Sequence, residues 1–152
     1  MTQSDTTPAV SYRPSTASDA VACARIICDW GKQTWWMVPI NNVEDVAASW
    51  AELLDTKTSW VALAGHDVVG FCVREDDTIT GLYVETSARG QGVGRALLDL
   101  AKRDCDEITV WVYELNKRAV AFYAREKFLR VGREKDEHSD LIYLETRWRR
   151  PE

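Results

Sequence analysis

The sequence lacks any pair of cysteines two residues apart and any cluster of histidines. Its four cysteines, Cys23, Cys28, Cys72 and Cys105, are scattered, and its two histidines, His66 and His138, stand far apart in turn-like segments. That spacing argues against a disulfide framework and against a metal site, and leaves buried, reduced thiols as the expectation. Long apolar runs are missing, and so is a signal-peptide pattern, so no membrane partner and a cytoplasmic location are expected. Positive charge is in deficit: 19 Lys and Arg face 24 Asp and Glu, for a net charge of −5. A general nucleic-acid binder needs a basic surface, so nucleic acid is not an expected partner. Internal repeats and linkers are absent as well. What is present is ordinary for a globular protein: 152 residues, 45% hydrophobic and 28% charged, enough for one sizeable core. The polar start reads as a flexible N-terminal tail over residues 1–9, followed by a single domain over 10–148.

Local patterns give an element order. Val10 to Arg13 reads as a strand stopped by Pro14. Thr16 and Asp19 have capping-box spacing ahead of Ala20, Ala24, Ile27 and Cys28, a helix expected to end near Gly31. An apolar loop with Trp35, Trp36, Met37 and Pro39 follows, and then Asn42 as N-cap of a helix striped by Val43, Val46, Ala47, Trp50 and Leu54. Period-two texture marks strands over 59–64, 68–74 and 78–84, joined by turns at Gly65-His66-Asp67 and Glu75-Asp76-Asp77. Val93, Ala96, Leu97, Leu100 and Ala101 describe a strong amphipathic helix. A strand over 108–113, a helix over 116–126, and strands over 129–133 and 141–144 around the acidic turn Glu134 to Asp140 complete the chain. The order β-α-α-β-β-β-α-β-α-β-β predicts an α/β domain with a mixed, mostly antiparallel sheet of about seven strands flanked by four helices.

The segment from Leu82 to Arg95 is the most informative. Gly90, Gly92 and Gly94 leave backbone N–H groups uncovered just where a helix begins. Unpaired donors and the positive end of a helix together hold a phosphate, and Arg89 and Arg95 add full charge. A plain strand-to-helix turn would use glycines in the same way. Two well-known phosphate loops do not fit. A P-loop would have Gly-Lys-Ser/Thr where Arg95-Ala96 stands. A dinucleotide fingerprint needs G-x-G-x-x-G early in a βαβ unit, whereas here G-x-G-x-G follows a β-meander.

At these residues the sequence resembles the GNAT superfamily of N-acetyltransferases. The superfamily's loop motif (Gln or Arg, two residues, Gly, one residue, Gly or Ala) is met by Arg89, Gly92 and Gly94. A second signature, an Asn, an Ala three residues on, and an aromatic-Tyr pair, is met by Asn116, Ala119, Phe122 and Tyr123. The likeness runs over nearly the whole chain. It implies the GNAT acyl-CoA N-acyltransferase fold, with acetyl-CoA as cofactor and an amine acceptor as the other partner. It further implies that Gly90, Gln91, Gly92, Val93, Gly94 and Arg95, with Arg89, bind the pyrophosphate. Leu82, Tyr83 and Val84 would line the pantetheine arm between two splayed strands. The Val84 N–H would face the thioester carbonyl. Asn116 and Phe122 would contact the arm, and Tyr123 would give its proton to the departing thiolate. Asn116 and Tyr123, seven residues apart, share one helix face. From periodicity alone an ordinary N-cap and a core aromatic are the favoured readings, and the resemblance reverses that preference.

The acceptor side is less determined. Relatives that acetylate ribosomal-protein N-termini carry a Glu five residues before the Asn, where this chain has Trp111. Glu114 and Glu85 are the candidate bases, with a water relay as the alternative. Trp35 and Trp36, extended by Trp111 and Tyr113, are candidate walls for an apolar or cationic amine, or simply core residues. Lys127 stands where relatives often have Gly. No cysteine has the context of an acyl-carrying nucleophile, so the expected route is direct attack in a ternary complex. Resemblance leaves room for a homodimer through edge strands. It also leaves two other readings: an acyl-CoA-binding regulatory module without catalysis, and transfer of a longer acyl group.

Overall fold

The computed structural model of the protein describes residues 9–152, so the expected tail, apart from Ala9, lies outside the described residues. The main elements are β1 (Val10–Pro14), α1 (Ala20–Lys32), α2 (Val43–Thr56), β2 (Thr58–Ala64), β3 (Asp67–Glu75) and β4 (Thr78–Val84). They continue with α3 (Val93–Lys102), β5 (Glu107–Tyr113), α4 (Lys117–Arg125), β6 (Leu129–Lys135) and β7 (Ile142–Arg149). The strands form one sheet in the order β1-β2-β3-β4-β5-β7-β6. Every neighbouring pair is antiparallel except β4 and β5, which run parallel. The fold class read from the sequence is therefore the one observed.

Two cores follow from strand alternation. Cys72, Ile79, Ile108, Val110 and Val112 face α3 and α4, where Val93, Leu97, Leu98 and Ala101 supply one helical stripe. Val61, Phe71 and Val73 face α1 and α2, meeting Cys23, Ile27 and Leu54. Because helices cover both faces, β3 is buried almost continuously from Val69 to Arg74, and its sequence is correspondingly short of polar residues. Among the described residues no helix is long and apolar enough to cross a membrane.

The ends of α1 and β1 fall within a residue of expectation, whereas β6 runs on to Lys135 and β7 to Arg149. Helix α1 continues through Gly31 to Lys32. A Cβ on Gly31 would lie 3.2 Å from Cβ of Ile40, so this glycine lets the α1–α2 loop lie against the helix rather than ending it. Strand β1 includes Pro14, which pairs with Trp60 at the sheet edge, where a missing N–H costs no ladder bond. Strand β7 reaches Arg149, well beyond the expected Leu144. In the fold Arg147 and Arg149 pair with Glu107 at 3.1 and 3.3 Å, while Leu144 and Trp148 turn into the core.

Local polar contacts fix where helices begin and end. The Asn42 side-chain oxygen accepts from the Asp45 N–H at 3.0 Å and starts α2. The buried Asp19 carboxylate accepts from the Thr16 N–H and, through both oxygens, from Arg13, each at 2.9 Å. It thereby ties β1 to the start of α1. Those bonds hold the Asp19 carboxyl below the ordinary carboxylate range. At the other end of the chain, α4 closes with the Phe128 N–H on the Tyr123 carbonyl at 2.9 Å. That closure forces Lys127 to φ +72°, a left-handed conformation that suits glycine.

Two outcomes follow. Asp19→Ala should lower stability by about 1–3 kcal/mol, read by chemical denaturation at neutral pH. Asp19 has a depressed folded-state pKa, so its contribution is full above the unfolded carboxylate pKa and is lost as pH falls through the folded value. The wild-type and variant unfolding curves should therefore converge in acid. Lys127→Gly should raise stability by about 1 kcal/mol in a thermal melt, because it removes the left-handed penalty while keeping the backbone closure.

Candidate active site

The site begins with a local irregularity in the sheet. Val73 pairs with Gly81 but Arg74 pairs with Ile79, so Thr80 is an extra residue in β4. Such a bulge bends the strand that carries it. Parallel pairing of β4 with β5 stops at that point, after only Thr78–Thr109 and Ile79–Val110. Beyond it the two strands separate. The Glu85 N–H still donates to the Val69 carbonyl at 2.8 Å, which keeps the end of β4 on β3. By alternation, the N–H groups of Leu82 and Val84 point the other way, into the gap between β4 and β5. Tyr83 instead turns its ring toward α1 and α2, packing against Trp30, Trp50 and Phe71.

At the far end of β4 the chain passes a short 3-10 turn (Thr86–Ala88) and enters the glycine loop. Gly90 and Gly92 have φ of +77° and +81°, and nothing lies within 4 Å of where their Cβ atoms would be. The left-handed conformation favours glycine at both positions, while the open space leaves the loop's backbone accessible. Gly92 caps α3 without a side-chain hydrogen bond, so the first N–H groups of that ten-residue helix face outward unpaired. Gly94 has no such need. A Cβ there would make ordinary contacts of 3.5 Å with Phe122 and 3.7 Å with Val84, which shows how closely α3, α4 and β4 converge.

Charge concentrates at this loop. Arg89 donates from Nε to the Val84 carbonyl at 3.3 Å. Its pKa is lowered by burial and then by the neighbouring Arg118 guanidinium on α4. Among the described residues neither arginine forms an ion pair, whereas Arg95 lies 3.8 Å from Glu126. Two adjacent, unpaired guanidinium groups beside open N–H donors suit a multiply charged anion. Sequence reasoning missed Arg118. Its only sequence cue was its place two residues after Asn116, in the first turn of α4.

Asn116 is the N-cap of α4: its side-chain oxygen accepts from the Ala119 N–H at 3.2 Å. Tyr123 is buried, with its ring edge-on to Phe122 at 5.1 Å and to Phe128 at 5.2 Å. Burial pushes its phenol well above the ordinary range, and the Cys72 thiol and Tyr83 hydroxyl add to the shift. That phenol remains protonated throughout the neutral range. Phe122 and Tyr123 therefore sit on the α3–α4 side of the strands that separate.

The proposed acceptor residues divide. Trp36 packs edge-on against Tyr113 at 5.2 Å and Trp30 at 5.9 Å, while its neighbour Trp35 is 86% exposed. Trp111 stands exposed on β5, two residues before Tyr113, and its rings do not pack in this cluster. Tyr113 stacks on Tyr143 at 4.5 Å and accepts its hydroxyl hydrogen bond at 2.9 Å. Glu114 is bound by Arg133 through both oxygens, at 3.1 and 3.3 Å, and its pKa is lowered. A carboxylate so held is a poor proton acceptor. Glu85 is half-buried and lines a concavity of about 250 Å³ with Val84, Trp30 and Asp29.

Comparison with known proteins agrees with this geometry. Residues 55–128 match the acetyltransferase (GNAT) domain family. The chain is 34% identical over 94 residues to the peptidyl-lysine N-acetyltransferase YjaB of Escherichia coli, a match covering 61% of this chain and 62% of that protein. The matched part thus spans about three-fifths of that relative's length. The solution structure of apo YjaB from Escherichia coli superposes with a TM-score of 0.75 at 25% identity, covering 91% of this chain and 97% of that one. The structure of yncA from Salmonella typhimurium with its cofactor acetyl-CoA shares the fold, with a TM-score of 0.69 at 18% identity and 95% of each chain covered. By sequence motif, fold and likeness together, this chain is similar to the GNAT acetyltransferases, and its residues 55–128 carry the match to their domain.

Proposed function

We propose that this protein is an acetyl-CoA-dependent N-acetyltransferase acting in the cytoplasm on a primary amine, by direct attack within a ternary complex. The observation that carries the reading is the gap between β4 and β5, with an open, cationic glycine loop at one end and a buried, protonated phenol beside it. The name of the Escherichia coli relative favours a lysyl side chain of a protein as acceptor over a small free amine. The described cysteines suit a reducing compartment. All four are free thiols, and burial pushes Cys23 and Cys72 up to about 12.

When bound, acetyl-CoA supplies a thioester open to attack by a neutral amine. The N–H groups from Gly90 to Arg95 would hold the diphosphate, and Arg89 and Arg118 would balance its charge. Leu82 and Val84 offer N–H groups from one side of the gap, toward the arm and the carbonyl oxygen on which negative charge grows. Tyr123 keeps its proton until the sulfur needs it, as a general acid with a high pKa must. Asn116 fixes the start of α4 and so the position of that phenol. Glu85, which makes no ion pair among the described residues, takes a hydrogen bond from the Ser87 hydroxyl and follows Val84, is better suited than the ion-paired Glu114 to accept the amine's proton, directly or through water. The rival reading, an acyl-CoA-binding module without catalysis, gains support only from Trp111 in place of an acidic residue.

Tyr123→Phe should reduce kcat by about 10²-fold or more in a thiol-release assay with an amine panel. Its calorimetric affinity for acetyl-CoA should stay within about twofold of wild type, since the phenol contributes to turnover and not to holding the diphosphate. Unchanged turnover would remove Tyr123 from the mechanism. No release with any amine, alongside intact binding, would favour the module. Gly92→Val should weaken CoA binding by about tenfold or more, because the side chain covers the neighbouring N–H donors and the left-handed conformation is strained, whereas Gly94→Ala should leave both affinity and melting temperature close to wild type.

A further inference from the structure

The gap between β4 and β5 has a closed end, and one buried side chain is built around it. Arg74 on β3 pairs with Ile79, and Ile79 pairs with Val110, so a single row crosses β3, β4 and β5 where the bulge begins. That row and the Thr78–Thr109 pair beside it are all the ladder that joins β4 to β5. Two parallel pairs fix where the strands meet but leave the angle between them soft.

The Arg74 side chain supplies a second connection. It is buried on the α3–α4 face of the sheet, the face that Cys72 also occupies. Its Nη1 lies 2.6 Å from the Ala101 carbonyl, 2.7 Å from one Asp104 oxygen and within reach of the Cys105 sulfur. Nη2 donates to the other Asp104 oxygen at 3.2 Å. These acceptors belong to the last turn of α3 and to the residues that lead into β5. From the other side Arg150, just past β7, donates to the carbonyls of Lys102, Arg103 and Cys105. The segment ahead of β5 is thus gripped by both arginines, and β5 enters the sheet from a fixed place.

Such a guanidinium contributes little net stability. Desolvation offsets much of what the ion pair returns, and the Asp104 side chain is itself 68% exposed. Arg74 Nε is buried with no hydrogen-bond partner among the described residues, a further loss. An apolar side chain would pack in this place without that loss, but it could not address several acceptors at set angles, as a planar fork does. The arrangement favours geometry over stability.

We infer that Arg74 is a positioning residue that sets how far β4 and β5 splay, and so places the acyl-CoA arm between them. This role rests on the acetyltransferase reading above, in which the gap holds the arm, and adds the group that fixes the width of the slot. Arg74 touches neither the arm nor the reacting atoms. It acts through the closing row, from which Leu82 and Val84 run along one lip and Val112 along the other. A shift of about 1 Å between the lips is enough to misplace the hydrogen bonds offered to the arm.

The test compares binding of CoA, which has the arm, with binding of adenosine diphosphate, which has only the diphosphate end, each titrated by NMR. Arg74→Lys keeps the charge but offers one ammonium in place of the fork. It should weaken CoA by about tenfold and adenosine diphosphate by less than about twofold, because the glycine loop lies at the other end of α3. A general loss of packing would weaken both alike. Asp104→Asn alters an exposed side chain, keeps the protein folded even where Arg74→Lys does not, and should weaken CoA by about threefold with the same selectivity. In the ligand-free variants the amide resonances of Leu82, Val84 and Val112 should move more than those of Gly90 to Arg95. Equal loss for the two ligands, or an unchanged ratio of affinities in both variants, overturns the inference. Wild type that fails to bind CoA, while the lip resonances still move in the variants, sinks the acetyltransferase reading and leaves the clamp standing. Lip resonances that stay in place sink the clamp.

Discussion

One extra residue in one strand governs the architecture of the site. With Thr80 inserted opposite the Val73–Arg74 step, β4 stays on β3 but can no longer follow β5. A parallel pair that would otherwise zip closed is held to two residue pairs. The free backbone donors of Leu82 and Val84 that result are costly unless something pairs with them. A sheet that leaves its own ladder open along a defined line has a receptor for an extended ligand built into it. The glycine loop, α4 and the Trp36 loop all gather around that opening.

The distribution of arginines follows a similar logic. The chain is acidic overall, and most of its arginines are neutralised by design of the fold. Arg74, almost fully buried, binds Asp104 at 2.7 Å and the Ala101 carbonyl at 2.6 Å; Arg13 holds Asp19; Arg133 holds Glu114. Those pairs tie strands to neighbouring elements. Arg89 and Arg118 form no ion pair among the described residues, and they sit beside each other where backbone N–H groups are also unpaired. Local cationic character in an anionic protein confines phosphate attraction to one place, which a uniformly basic surface could not do.

Aromatic residues serve two ends on the α1–α2 face. Trp50, Phe71 and Tyr83 pack as core, with ring centres 5.4 to 6.4 Å apart. The same contact pattern continues without a break through Trp30 to Trp36 and Tyr113, which lie outside the main core. Continuity means that the wall facing a substrate is braced by the packing that stabilises the sheet. It also explains why adjacent tryptophans behave differently: Trp36 closes the series and Trp35 has nothing to pack on.

Local signals in the sequence determined the elements, their order and the loop that holds phosphate. Periodicity separated helix from strand, and Asn42 and Asp19 announced helix starts through short-range hydrogen bonds. Gly90 and Gly92 marked left-handed turns that no other residue takes cheaply. These are all effects between residues a few positions apart, so the linear chain carries them. Tertiary structure alone decided the length of β7, whose charges are satisfied only across to Glu107, and the reason for Gly31, which is the approach of Ile40. It alone brought Arg118 beside Arg89, tied Glu114 to Arg133, and turned Trp36 inward while Trp35 faces out. In each case the deciding partner is distant in sequence, or, for the two tryptophans, the ring's fate hangs on what lies across the gap, and neither is visible to a local pattern.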